Sequence, residues 1–215
     1  MDPWLGPLAV EVPEDEVRRA LGYGGHGRPS RAVAARLHAL WPEATALLRP
    51  RGCFRRASKE EARHAGVPRP DGPAVLALCT IGPDLEAESA RRQADGATLD
   101  ALVLDSIGSA AAEAAADALN AVVCERLGPE GLHAAPRESP GYGDWPVTCQ
   151  RELLALLPAA ELGVVLSPGL MMIPRKSVSF AVRLVDRPLA ATSQCERCGL
   201  LRCRHRTTAP RPEVP

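Results

Sequence analysis

Arg137-Glu138-Ser139-Pro140-Gly141-Tyr142-Gly143-Asp144-Trp145-Pro146 places two prolines, two glycines and two aromatics between a long Ala-rich helical pattern and a shorter one. Proline fixes φ, and glycine permits φ > 0 or a close backbone approach, so such a segment holds one shape. Arg137 at its entrance offers a planar fork suited to a carboxylate or phosphate, and Tyr142 offers a stacking face and a hydroxyl. The composition fits an ordinary structured turn, and it also fits a loop whose amides and side chains face a ligand.

Upstream of this loop, Ala97 to Leu127 carries the longest helical pattern of the chain and stops at Gly128-Pro129. Leu99, Leu102, Val103, Ile107, Ala110, Ala114, Leu119, Val122 and Val123 supply a broad apolar face, and the alanines keep helix propensity high. Ser106, Ser109, Glu113, Asp117 and Asn120 recur every three or four residues and form a second, polar stripe. Glu113 and Asp117, one turn apart, repel by about a few tenths of a kcal/mol where solvated. No lysine or arginine stands three or four residues from them to relieve the repulsion. Either the pair is fully exposed, or positive charge comes from outside the helix.

Working outward, Pro13 to Leu21 reads as a short helix with Glu14, Asp15 and Glu16 at its positive end and Gly22 as its stop. The Gly22-Tyr23-Gly24-Gly25-His26-Gly27 run follows a helix and lacks a Gly-Lys-Ser/Thr ending, so it reads as a connector and not a phosphate loop. Ser30 caps a helix with Val33, Leu37, Leu40 and Trp41 on one stripe. Leu47 to Phe54 reads as a short strand or turn, and Ser58-Lys59-Glu60-Glu61 as a capping box whose helix ends at Gly66. After a Pro/Gly-rich loop, Ala74 to Ile81 is a buried strand, and Pro83 opens a helix that ends at Gly96. Beyond the loop, Val147 to Leu157 reads as a helix with Cys149 or Leu153, Leu154 and Leu157 inward, and Leu162 to Leu166 and Ser177 to Val185 as strands. The intervening Ser167 to Lys176 has a basic tip, and its Met171-Met172 pair reads as core filling.

The totals bound the function. In 215 residues, hydrophobic residues make up 46%, enough for one substantial core, but three Trp, two Tyr and two Phe leave that core to Ala, Val and Leu. Twenty-six basic and 26 acidic residues cancel, so no global field favours nucleic acid or an anionic membrane. The N-terminus lacks a signal-peptide pattern, and Asp100, Asp105, Glu113 and Asp117 argue against a membrane span in the most apolar window. A cytoplasmic location is the expectation, with the seven cysteines as free thiols.

From Arg187 to Pro215 the composition turns polar and proline-rich, so residues 1–186 are expected to form the domain and 187–215 a tail. The tail carries Cys195, Cys198 and Cys203 followed by His205, a compact soft-ligand set. Zinc or an iron–sulfur cluster, a redox role promoted by the surrounding arginines, and a metal-free tail all fit.

Arg137-x-Ser139-Pro140-Gly141-Tyr142-Gly143-Asp144, then Gln150, then Gly163-Val164-x-Leu166 and Met172-x-Pro174-x-Lys176-Ser177-Val178-Ser179 resemble, in that order, the reactivation (activation) domain of vitamin B12-dependent methionine synthase in a free-standing short form. The resemblance spans roughly residues 74–185 and more weakly the N-terminal third. It implies an α+β fold, a twisted, mainly antiparallel sheet flanked by helices, and a shallow S-adenosylmethionine site. In that site Arg137, Gly141 and Tyr142 would hold the carboxylate and adenosyl portions, with backbone contacts at Ser139. Glu113 and Asp117 would face the ammonium, although their order is reversed relative to the fused domain. The implied role is that of an accessory subunit, itself without a protein nucleophile. It would support reductive methylation of cob(II)alamin in trans on a methionine synthase lacking this domain, with an electron donor such as flavodoxin or ferredoxin.

Other clients remain open: another corrinoid protein, with the Cys tail as relay, or a binding module without catalytic part. Where the fused domain continues past Gly-Tyr with a Pro-x-Cys-Pro-x-His run, this chain has Gly143-Asp144-Trp145-Pro146, so contacts to the corrin are not carried over.

Overall fold

The computed structural model describes residues 3–23 and 27–187. The chain enters through a strand, β1 (Trp4–Pro7), then two helices, α1 (Glu14–Ala20) and α2 (Arg31–Ala46). The Ser30 hydroxyl accepts from the Val33 amide and caps α2, as the sequence predicts. β2 (Arg51–Ala57) runs into the Ser58–Glu61 capping box of α3 (Lys59–His64). β3 (Ala74–Thr80), α4 (Asp84–Ala94) and the 30-residue α5 (Thr98–Leu127) follow, then a short β4 (His133–Ala134). Past the loop come α6 (Gln150–Ala155), β5 (Val165–Leu166), β6 (Met172–Ile173) and β7 (Ser177–Val185).

A five-stranded sheet has the order β1-β2-β3-β7-β4 with every neighbouring pair antiparallel, and β5 and β6 form a separate small hairpin. This is the α+β architecture expected from the sequence. Central β3 is buried at every residue, which explains its near-continuous apolar run. Val75, Ala77 and Cys79 point into the core beneath α5, while Ala74, Leu76 and Leu78 point to the opposite side, against Trp145, Leu153 and Leu154. The sheet is therefore covered on both faces, and the Arg137 loop with α6 forms the second cover.

α5 is the spine of the larger core. Its segment Thr98–Glu130 is long and apolar enough to cross a membrane by length and composition, and half of its most apolar window is buried within the protein. Asp100 at its start is held by Arg36, with Nε 2.7 Å from Oδ1, and by Arg92 at 3.1 Å, joining α2, α4 and α5. The Arg36 hydrogen bond outweighs the burial of Asp100 and keeps its carboxyl below the usual range.

Several local expectations change. The stretch after α2 resolves into a strand that begins only at Arg51. The predicted helix from Val147 to Leu157 divides into a 3₁₀ turn, Val147–Cys149, and α6, and it ends early because Pro158 disfavours a helical conformation in the residue before it. Leu162 belongs to another 3₁₀ turn, and Gly163, at φ +72°, interrupts the predicted strand so that only Val165–Leu166 is extended. Met171 is 57% exposed, so only Met172 of the pair packs against the core. β1 was not foreseen; it holds its place by stacking Trp4 on Phe54 of β2, ring centroids 5.3 Å apart. The tail cysteines Cys195, Cys198 and Cys203 lie outside the described residues, as does the predicted boundary's C-terminal side beyond Arg187.

Candidate functional site

Two elements frame a shallow cleft: the solvent side of α5 and the loop from Arg137 to Trp145. The loop is fixed at three points. Glu138 exchanges two backbone hydrogen bonds with Ala181 of β7, at 2.9 and 2.8 Å, which extends the sheet edge by one bridge. The Gly141 amide donates to the Trp145 carbonyl at 2.7 Å and the Trp145 amide donates to the Tyr142 carbonyl at 3.1 Å, closing the turn on itself. Gly141 at φ +90° and Gly143 at φ +56° supply the left-handed backbone that this closure demands. Finally Trp145 is buried, and its indole reaches the end of α3.

The polar stripe of α5 divides by environment. Ser106 is buried and donates to the Leu102 carbonyl of its own helix. Lys176, at the foot of β7, crosses α5 with Nζ 2.8 Å from Asp105 Oδ1 and 2.8 Å from Ser109 Oγ. Gly108 makes room for it, since a Cβ there would stand 3.3 Å from the Lys176 Cε. One and two turns on, Glu113 and Asp117 are exposed, and Arg137 Nη2 lies 3.0 Å from Glu113 Oε2 and 3.1 Å from Asp117 Oδ1. The positive charge that the helix lacks comes from the loop. The guanidinium also lies over Phe180, 5.7 Å from the ring centroid, so β7 supports it from beneath. Cys79, on neighbouring β3, is pushed up to about 12 by burial, with the charge of Arg137 pulling the other way.

The resulting cleft, about 160 Å³, is lined by Glu113, Arg137, Ser139, Pro140, Tyr142, Gln150, Met172, Ser177, Val178 and Ser179. Of the residues singled out from sequence, Glu113, Arg137, Ser139 and Tyr142 form its walls, Asp117 sits beside it through Arg137, and Gly141 shapes the turn without lining it. Gln150 and the Ser177-Val178-Ser179 floor were not predicted as site residues, although each lies within the motifs that carry the resemblance. Gln150 is buried, and its amide donates to the Leu170 carbonyl at 3.3 Å, holding the 167–171 turn near the cleft.

A larger hollow of about 550 Å³ lies between α1 and α2, lined by Arg18, Arg28, His38 and Trp41 among others. It shares no residue with the Arg137 cleft, and Arg18 there is already paired with Glu14. The smaller cleft is the chemically organised one, because carboxylates, a guanidinium, hydroxyls, an amide and an exposed tyrosine converge on it. Among the described residues, no group of three or more His, Cys, Asp or Glu side chains could hold a metal ion.

No protein-family model matches the chain, and no curated protein matches it in sequence. Among solved structures, one described as the crystal structure of the MetH reactivation domain bound to AdoHcy aligns with a TM-score of 0.60 and 15% identity. The alignment covers 85% of this chain and 78% of that one. The chain has the fold of the MetH reactivation domain.

Proposed function

We propose that the protein binds S-adenosylmethionine in the Arg137 cleft and acts in trans as the reactivation subunit of a cobalamin-dependent methionine synthase. The observation that carries this reading is the convergence of Glu113, Arg137, Ser139 and Tyr142 on one cleft, in the fold of a domain whose solved structure is described with AdoHcy bound.

The residues fit the ligand's chemistry. Arg137 presents a fork to the α-carboxylate. Glu113 and Asp117 offer charge to the ammonium, and half-exposed Tyr142 offers a face to the adenine. Ser139 and the edge of β7 supply short polar contacts. The cleft is smaller than a typical small-molecule pocket, so a ligand of this size is held by one end with much of its surface open. That openness suits delivery to a second protein: the bound ligand supplies an electrophilic methyl group for the reduced cobalt of a partner's cobalamin, with the thioether leaving. The chain's own part is to bind, orient and shield. The reducing electron comes from a donor of the flavodoxin or ferredoxin type.

Calorimetric titration of S-adenosylmethionine against wild type and Arg137→Ala tests the binding step, with at least a tenfold loss expected in the variant, the scale of one charge-assisted bidentate contact. A companion assay mixes the protein with an oxidised synthase lacking this domain, reductant and S-adenosylmethionine. Restored turnover supports the client named here. Binding without restored turnover would exclude that synthase and point to another corrinoid protein, whereas no binding at all would sink the whole reading.

A further inference from the structure

Resting on the reading of the cleft as an S-adenosylmethionine site, we infer that Lys176, which stands outside the cleft's lining, is the positioning residue that sets the spacing between its floor and its helical wall. The floor is Ser177-Val178-Ser179, the first residues of β7, and the wall is α5 at Glu113. Lys176 immediately precedes that floor. Its Nζ stands 2.8 Å from Asp105 Oδ1 and 2.8 Å from Ser109 Oγ, and Ser109 lies one turn before Glu113. The junction is clamped to three different elements. The Arg175 amide and Nε reach Glu86 of α4 at 2.8 and 2.6 Å. The Ser177 hydroxyl meets Thr80 Oγ1 of β3 at 2.9 Å. The Lys176 side chain adds the polar link to α5.

The link is held at both ends. Gly108 clears its path, since a Cβ there would stand 3.3 Å from the Lys176 Cε and 3.3 Å from the Leu85 Cδ2. The Ser109 hydroxyl accepts from Nζ and donates to the Asp105 carbonyl at 3.0 Å, so the far end is fixed in a chain of hydrogen bonds. The Lys176 side chain is only 13% exposed, and an ion pair so placed adds little net stability over an apolar side chain of similar length. It adds a defined distance. A compact ammonium meets the carboxylate and the hydroxyl at hydrogen-bond length, where a flexible thioether chain would slide. A ligand that touches floor and wall together gains from that preset spacing, because binding does not have to order it.

The test is calorimetric titration of S-adenosylmethionine into wild type, Lys176→Met, Asp105→Asn, Ser109→Ala and the double variant Lys176→Met/Asp105→Asn, with urea unfolding of each. Asp105 is 43% exposed, so water hydrates it when its partner is removed. Lys176→Met is expected to keep the wild-type unfolding midpoint and to bind about tenfold more weakly, a split that a merely structural residue would not show. Asp105→Asn and Ser109→Ala should each weaken binding severalfold. The double variant should bind no more weakly than Lys176→Met, because both changes break one link. If Lys176→Met does not fold, the two helix-side variants carry the test. Undiminished affinity in the folded variants, or additive losses in the double variant, overturns the inference while leaving the site in place. Absence of binding by wild type overturns the S-adenosylmethionine reading itself, and the inference with it.

Discussion

The indole Nε1 of Trp145 donates to the backbone carbonyl of Ala65 at 3.1 Å, tying the candidate ligand loop to the residue that ends α3. Trp145 is 1% exposed and packs with Leu76, Leu78 and Leu153, so the loop is anchored in the second core and not merely laid over it. Trp145→Phe keeps most of the apolar contact and removes the hydrogen bond, with an expected loss of about 1 kcal/mol. Trp145→Ala removes both, with a loss of about 3–5 kcal/mol. Urea unfolding monitored by circular dichroism gives both values, and equal midpoints for the two variants would contradict the anchoring role.

Gly66 closes α3 at φ +69°, and a Cβ there would stand 2.5 Å from the Cys149 Sγ and 3.2 Å from the Trp145 Nε1. Gly66→Ala therefore combines backbone strain with a clash against the two residues that flank the loop's exit. A destabilisation of about 2 kcal/mol or more is expected, with weakened ligand binding. Gly22→Ala also takes a positive φ, +90°, but its Cβ meets no atom within 4 Å, so it reports backbone strain without a clash. A Gly66→Ala unfolding midpoint no lower than that of Gly22→Ala would show the clash to be absorbed.

Burial pushes the thiols of Cys53 and Cys79 up to about 12, whereas Cys124 is exposed on α5. At pH 8 the folded protein should alkylate at Cys124 ahead of Cys53 and Cys79, which react only when the chain opens. Peptide mapping by mass spectrometry after timed iodoacetamide labelling follows each site, and early modification of Cys79 would refute the two-faced burial of β3.

Glu88 accepts hydrogen bonds from Arg91 and Arg92, which hold its carboxyl at about 2 against an ordinary value of 4.5. Glu61 and Asp100 are also lowered, Glu61 first by the Ser58 backbone amide and Asp100 first by Arg36. A folded value below the unfolded one means that the stabilisation is complete above about 4.5 and is lost as pH falls towards about 2. Thermal midpoints should be flat above pH 5 and decline through that acidic window, and Glu88→Gln should flatten the decline. A midpoint insensitive to pH between 5 and 2 would show these pairs to be energetically idle.

Much of the fold was legible because local signals agree with their surroundings. Ser30 and the Ser58–Glu61 box cap their helices as the spacing predicts, and Ser177–Val185 keeps its predicted bounds. β1, β4 and β6 were missed because strands of two to four residues carry no periodicity; pairing with a distant partner creates them. At the cleft, residue type identified Arg137, Tyr142 and the acidic pair, but only tertiary structure shows that Arg137 meets Glu113 across 24 residues of chain. Ser177 and Ser179 looked like ordinary strand residues, since alternation reveals which face a side chain occupies and not what lies opposite.

The central pairing of β3 with β7 has a kinetic consequence. The hydroxyls of Thr80 and Ser177 meet at 2.9 Å across 97 residues of chain, so the sheet's middle seam is a long-range closure. Such closures come late in folding, because the entropy of the intervening loop opposes them until other structure shortens the search. The cleft's floor belongs to that late-closing strand, so ligand affinity is expected only once the β3–β7 seam has formed. A ligand resting on Ser177–Ser179 would then slow the escape of that strand, and the protein should unfold more slowly when loaded than when empty.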